Sequence, residues 1–447
     1  MSRFYNLDQA PFNSRELSKA IVAAIAGQYN GAFFDASDMS TLFQDAAGTT
    51  PVTALEQPVG KWLDKSGNGN HATQSVTGYR PVISARKNLL TKTEDFADAA
   101  WGKNNSTVSV GNEYPPGSSI NSAKIIETST AGAHYIKGSS PALSSICTVS
   151  FYAKSAERSI ATVFLEGTAV SVVWFDLEAG VAVKQSSVVI SFGLSPAGEG
   201  WYYCFVTYSS AATNDVCIGC STASWVFSYT GVAGYGIYCA NPQLEYGPAA
   251  TRYQKVNTAT DYDTAGFPRY LRFDGVDDYL NLPFMNLYAN GSATVISAVS
   301  MLRQSANACV VSEGNSADND SLYCMARQLA SGGNLDSVII RDDATTLLDT
   351  TGSASALANG VTAIRGSIDT GSNVKLFKND QQLSSDDYTR SGTVTLNNTT
   401  IGAKVGTTVS MFNNMRLYGL IITKTALSDS ERRKCEVYLS RKAGVQL

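Results

Sequence analysis

The feature that most constrains this chain is a β-sandwich phrase broken in two. Ser66-Gly67-Asn68-Gly69-Asn70 reads as a tight turn, His71-Ala72-Thr73-Gln74 as the strand it opens, and Arg80-Pro81-Val82 as the exit. The matching run, Tyr270-Leu271-Arg272-Phe273-Asp274-Gly275-Val276-Asp277-Asp278-Tyr279-Leu280, follows only after a stretch large enough to be a domain of its own. That stretch has its own opening, Asn88-Leu89-Leu90, and its own closing phrase, Gln243-Leu244-Glu245-Tyr246-Gly247. The expected fold is therefore all-β: two antiparallel β-sandwiches of the jelly-roll type, one inserted in the other, with a short N-terminal helix and a short C-terminal helix. Residues 1–30 form the helical segment, 31–86 and 254–447 the two parts of the outer sandwich, and 87–253 the insert.

At 447 residues the chain is long enough for two or three domains, each with an adequate core and no need of disulfide or metal staples. Charged residues make up only 16%, which suits turn-rich sheets and not long solvated helices. A net charge of −4 and no long basic run exclude nucleic acid as the main partner. No apolar stretch is long enough to insert into a membrane, and the N-terminus has no secretory-signal pattern. The eight cysteines sit mostly in apolar or aromatic strands and read as small buried hydrophobes. Cys217-Ile218-Gly219-Cys220 has metal-ligand spacing, but only two histidines are present and a second ligand pair is not visible, so this pair also reads as structural.

Near the N-terminus, Asn13 or Ser14 can cap a helix whose stripe is Leu17, Ile21 and Ile25 with Ala24, ending at Gly27. Short helices are marginal alone, so this one should dock either on its own sandwich or on a neighbouring subunit. Period-two runs then predict strands at 148–154, 161–165, 170–175, 188–192, 201–208 and 235–239 in the insert. In the last part they predict strands at 293–301, 308–312, 337–341, 362–368, 374–377, 392–396 and 415–423. Asn379-Asp380 fits a hairpin turn, and Leu427-Ser428-Asp429-Ser430-Glu431 holds a capping box for the terminal helix.

These phrases resemble two module families common in bacteriophage virion proteins. The outer halves, with 66–74, Phe273-Asp274-Gly275-Val276-Asp277-Asp278-Tyr279 and Ala426-Leu427-Ser428-Asp429-Ser430-Glu431, resemble concanavalin A-like or laminin-G-like sandwiches. The insert, with Asn88-Leu89-Leu90, Glu199-Gly200-Trp201-Tyr202 and Gln243-Leu244-Glu245-Tyr246-Gly247, is similar to carbohydrate-binding-module-like jelly rolls of phage tails and fibres. The resemblance implies a virion structural protein in a tail, fibre or capsid decoration, assembled in the host cytoplasm. Its implied partners are other virion proteins, further copies of itself as a homo-oligomer, and a host cell-surface polysaccharide. Leu17, Ile21 and Ile25 are then the candidate virion anchor.

Sugar binding needs an exposed aromatic face beside hydrogen-bonding groups, because pyranose faces are apolar and their rims hydroxylated. Trp225, Tyr229 and Tyr235, in a Ser-, Thr- and Gly-rich stretch, are the candidate platform, whereas Trp201 reads as core. No cofactor is expected. Asp274, Asp277 and Asp278 are hard oxygen donors of the kind calcium takes, but adjacent aspartates more often cap their own turn. A glycan-degrading enzyme is the alternative. It is disfavoured because Glu166, Asp176 and Glu178 lie at different strand edges and His71 and His134 belong to no nucleophile motif, so the expected chain is not an enzyme.

Overall fold

The computed structural model describes residues 13–116, 122–140, 146–166, 171–209, 215–302, 307–318, 322–328, 336–342, 345–351, 360–390 and 393–447. Its backbone is nearly all antiparallel strand, with two α-helices among the described residues, α1 (Asn13–Gln28) and α2 (Asp429–Ala443). The chain divides into a host unit, Met1–Ala85 with Pro268–Leu357 and Thr362–Leu447, and an inserted unit, Arg86–Phe267 with Ala358–Val361.

In the host unit the two halves of the broken phrase meet as neighbours. Tyr270–Asp274 pairs with Val82–Ser84, Tyr270 opposite Ser84, and Asn281 pairs with Thr73 in the second sheet. One sheet has eight strands and the other nine. A single core lies between them, drawing Phe34, Trp62, Ala72 and Ile83 from before the insert and Leu271, Phe273, Leu280 and Leu417 from after it. The Ser-Gly-Asn-Gly-Asn turn is the latch at the end of α1. Asn68 donates to the carbonyls of Ala26 and Gly31, Asn70 also reaches Gly31 at 2.8 Å, and the buried Asp64 carboxylate accepts from the backbone of Phe33, Ser66 and Asn70. Gly67 and Gly69 have φ of +91° and +76°, which side chains with a Cβ adopt at a cost.

Both helices pack on the far face of the eight-stranded sheet. The α1 residues in that core are Val22, Ile25 and Ala26, against Phe33, Ile421 and Leu439. The stripe is thus offset from the one expected. Ile25 is buried in its own unit, Ile21 lies at the edge of that core, and the side chain of Leu17 lies outside the described residues. A buried Ile25 has no surface to offer a virion, so an anchoring role does not extend to it. Helix α2 begins with the expected capping box between Ser428 and Glu431 and ends at Gly444 in the left-handed conformation. Asn379 and Asp380, both with positive φ, form the hairpin turn. Of the strand expected at 392–396, residues 393–396 are not a strand and residue 392 lies outside the described residues; pairing begins at Asn398–Ile401.

The inserted unit is a sandwich of two six-stranded sheets. The first runs, in spatial order, Val181–Gln185, Val172–Asp176, Ile160–Leu165, Asp215–Ser221, His134–Ser139 and Trp101–Asn104. The second runs Val189–Gly198, Trp201–Tyr208, Cys147–Ser155, Gly236–Tyr246, Ala123–Glu127 and Ser106–Val110. Phe151 and Phe175 meet edge-on across the sandwich at 5.9 Å. The opening and closing phrases staple entry to exit: Asn88, fully buried, accepts from Leu244 N through Oδ1 and donates to the carbonyls of Pro242 and Gln254. Residues 254–267, assigned from sequence to the outer sandwich, belong with the insert because Gln254 bonds Gln243 and Asn88 while Val256 N donates to Thr93.

All eight cysteines are free and buried. A separation of three along a strand points Cys217 and Cys220 to opposite faces of the sheet, so they cannot share a metal. Burial pushes the Cys147 and Cys220 thiols up to about 12, which leaves them unreactive.

Candidate functional site: an aromatic flap on the inserted unit

The outer face of the first six-stranded sheet carries a second apolar cluster of Ile160, Phe164, Val172, Trp174 and Cys217, with Tyr135 and Val183 at its margin. Alternation places all of them on the side away from the sandwich core. Such a face needs a cover, and the segment after Ser221 supplies part of it. Trp225 lies against Trp174 with ring centroids 5.5 Å apart, and Phe227 meets Phe164 edge-on at 5.1 Å. The Trp174 indole N–H donates to the Val226 carbonyl at 3.1 Å, and Ser221 Oγ donates to the same carbonyl at 2.6 Å.

The flap covers the sheet with one side of its rings and leaves the other side in solvent. Trp225 is 57% exposed and Phe227 42%. Trp225 also has φ of +69°, a left-handed conformation that costs a bulky residue about 1–2 kcal/mol. Stacking on Trp174 offsets that cost and fixes the indole plane.

The far end of this segment is tied down by a buried ionic cluster. Glu127, with its side chain inaccessible to solvent, pairs with Arg158 and accepts from Tyr229 Oη at 2.6 Å and Val232 N at 2.6 Å. Burial alone would raise the Glu127 carboxyl, but the bonds from Arg158, Tyr229 and Val232 outweigh it and hold the group below the usual range. The Arg158 guanidinium lies 5.6 Å from the Tyr229 ring centre and 5.0 Å from that of Tyr235. Tyr229 also packs against His134, with ring centroids 4.6 Å apart.

The three residues expected to form a platform differ in exposure. Trp225 and Tyr235 are exposed, whereas Tyr229 is held by His134, Arg158 and Glu127, so its role is to position the segment. The sequence reading missed Phe227, and it missed the Glu127–Arg158 pair entirely. Beyond Phe164 the face ends in charge: Lys137 Nζ is 2.6 Å from Glu166 and 3.2 Å from Asp215. Glu166 and Asp176, two of the three acidic residues expected at different strand edges, stand at opposite ends of a hairpin, since Ile160 is the residue opposite Asp176.

A cavity of about 450 Å³ lined by Lys92, Glu94, Lys255, Asp261 and Tyr262, among others, is polar, and its tyrosine is buried, so it offers no aromatic face. In the host unit the carboxylates of Asp274, Asp277 and Asp278 lie within 4.8 Å of one another, close enough to share a cation. Their hydrogen bonds are those of a turn: Asp274 Oδ1 accepts from Val276 N at 2.8 Å and Asp277 N at 3.2 Å, and Asp278 accepts from Asp274 N. Burial, with the charges of Asp274 and Asp277, pushes the Asp278 carboxyl up to about 7. A folded-state value above the unfolded one gives stability that is present at acid pH and lost as pH rises through about 7. The melting temperature of the host unit should therefore fall between pH 4 and pH 8, by an amount worth roughly 2–4 kcal/mol. Asp278→Asn, which keeps the acceptor, should flatten that dependence; an unchanged slope would refute the assignment. Calcium added at pH 8 should leave the melting temperature in place if these groups only cap the turn.

No protein-family model matches the chain, and no curated protein matches its sequence. Solved structures overlap parts of it. The carbohydrate-binding module of a Ruminococcus gnavus sialidase, bound to α2,3-sialyllactose, overlaps 32% of this chain and 82% of its own at 16% identity and a TM-score of 0.29. The NanB sialidase of Streptococcus pneumoniae overlaps 36% of this chain and 26% of its own at 14% identity and a TM-score of 0.30. The receptor-binding domain of a botulinum neurotoxin C/D mosaic overlaps 37% and 41% at 12% identity and a TM-score of 0.29. Among the described residues no helix is long and apolar enough to cross a membrane.

Proposed function

We propose that the inserted unit binds glycans through the flap, and that the chain is a displayed, non-catalytic adhesin. The observation that carries this reading is Trp225: exposed, conformationally strained, and backed by a buried tryptophan. Exposed aromatics scattered singly need no explanation. Trp225 and Phe227 stand two residues apart against one face of a sheet, and Tyr235 is exposed further along the same connection, which supplies what an apolar pyranose face requires. A binder is favoured over a hydrolase because Glu166 and Asp215, at the charged end of the aromatic face, are ion-paired to one lysine and Glu127 is ion-paired to Arg158, whereas glycoside hydrolysis needs a protonated acid there.

Setting this module on a virion, as a tail, fibre or capsid decoration, rests on the sequence resemblance of both sandwiches to phage modules. Display in many copies suits such a site, since a shallow aromatic face binds weakly and gains from avidity. Mass spectrometry of purified phage particles tests the setting: the chain should be present at fixed stoichiometry, and its absence from particles would refute it.

The binding reading is tested on a glycan array with the full chain and Trp225→Ala. Truncating an exposed stacking residue should weaken binding roughly 10- to 100-fold. Unfolding should move by less than about 1 kcal/mol, as expected of a surface substitution. Undiminished binding by the variant, or binding to no glycan by the parent chain, would overturn the reading.

A further inference from the structure

The charged end of the aromatic face bears on which sugars the flap can hold. Glu166 continues the outer face of the strand that carries Phe164, and Asp215 that of the strand carrying Cys217; Glu166 N donates to the Asp215 carbonyl, so the two stand side by side. Lys137, opposite Cys217 on the next strand, bridges both carboxylates. Tyr135 joins this group to the aromatic cluster, with its ring 5.0 Å from Phe164 and its hydroxyl donating to Glu166 at 3.4 Å. Phe227, which rests on Phe164, is therefore about one pyranose ring away from the carboxylates, two residues along a strand being roughly 7 Å.

Charge at that end does not balance. One ammonium faces two carboxylates, and bonds from Glu166 and then Asp215 hold the lysine firmly in its charged form. The sequences that follow Glu166 and precede Asp215, Gly167-Thr168-Ala169-Val170 and Ser210-Ala211-Ala212-Thr213-Asn214, contain no ionisable residue, nor does the flap from Ser221 to Ser228. No further cation from these segments offsets the excess. Glu166 is 40% exposed and Asp215 23%, so each presents acceptor lone pairs outward while Lys137 has its protons directed at them.

We infer that this site selects uncharged sugars and rejects carboxylated ones, with Glu166 and Asp215 as the residues that set the preference. Hydroxyl groups on the rim of a pyranose lying on Phe227 and Trp225 donate to those carboxylates. A sialic or uronic acid in the same place brings a second negative charge to a group that already has one too many. Repulsion at about 6 Å near a protein surface disfavours the acid sugar roughly tenfold or more. The inference rests on the glycan reading of the flap.

The test arrays oligosaccharides of glucose, galactose and N-acetylglucosamine beside the same backbones ended in sialic or glucuronic acid. The full chain is compared with Glu166→Gln/Asp215→Asn and with Glu166→Gln alone, each checked for parental circular dichroism and melting. The parent should bind the neutral set at least tenfold better than the acid set. Releasing Lys137 in the double variant should raise acid-sugar binding at least tenfold and make it salt-sensitive. The single variant should fall between, and it serves as the test if the double variant fails to fold. Trp225-dependent binding that is as strong for acid sugars as for neutral ones, or variants with the parental preference, would overturn this inference and leave the glycan reading standing. A parent chain that binds no sugar would remove both.

Discussion

Replacing Glu127 with alanine should destabilise the inserted unit by about 3–5 kcal/mol and abolish glycan binding without touching any exposed aromatic. The carboxylate has no solvent access and meets Arg158, Tyr229 Oη, Val232 N and, at 3.9 Å, the thiol of Cys220. Removing it strands a mostly buried guanidinium, a hydroxyl and a backbone N–H at once, and each unsatisfied group adds to the cost. Four of the five tryptophans, at positions 101, 174, 201 and 225, lie in this unit, so urea unfolding followed by tryptophan fluorescence reports on it. Glu127→Gln keeps an acceptor and should lose less. A depressed carboxyl stabilises the fold above the ordinary carboxylate range, and that contribution disappears as pH falls through its folded value. Acid should therefore loosen the parent unit but have little such effect on the alanine variant. An alanine variant as stable as the parent would show that the cluster does not hold the flap segment.

The split architecture was legible because it is written in local signals: turn glycines, alternating strands and a capping box that need no tertiary context. Those conspicuous phrases proved to be staples. Asn68 and Asn70 lock the end of α1, and Asn88 with Gln254 closes the insert. The site was less legible for a physical reason. Ile160–Leu165 is buried on both faces, so its apolar run lacks the alternation that would have shown a covered outer surface. Phe227 is exposed only because the flap lies on that surface. Tyr229 and Tyr235 have the same Gly- and Ser-rich surroundings in sequence. Which of them turns inward is decided by Glu127, 102 residues before Tyr229. The α1 stripe drifted because spacing of four throughout overruns a helix of 3.6 residues per turn, so the buried set became Val22, Ile25 and Ala26.

A second large loss is expected in the host unit from Asp369→Ala, again about 3–5 kcal/mol, and its value lies in separating scaffold from site. Asp369 is fully buried on the Thr362–Asp369 strand of the eight-stranded sheet. It accepts from Tyr323 Oη at 2.8 Å, across the sandwich on Leu322–Gln328, from Tyr388 Oη at 2.9 Å, from Gly371 N at 2.7 Å and from Arg390 at 2.9 Å. Arg390 stacks on Tyr288 at 4.3 Å, so losing the carboxylate leaves two tyrosines and a part-buried cation without their shared anchor. Hydrogen exchange should show lost protection in both host sheets, because the network ties one to the other. Glycan binding gives the opposite readout from Glu127→Ala: if the flap is the site, Asp369→Ala should still bind sugar at temperatures where its host strands have begun to exchange. Binding lost in step with host-strand protection would place the sugar contacts in the host sandwich and not on the flap.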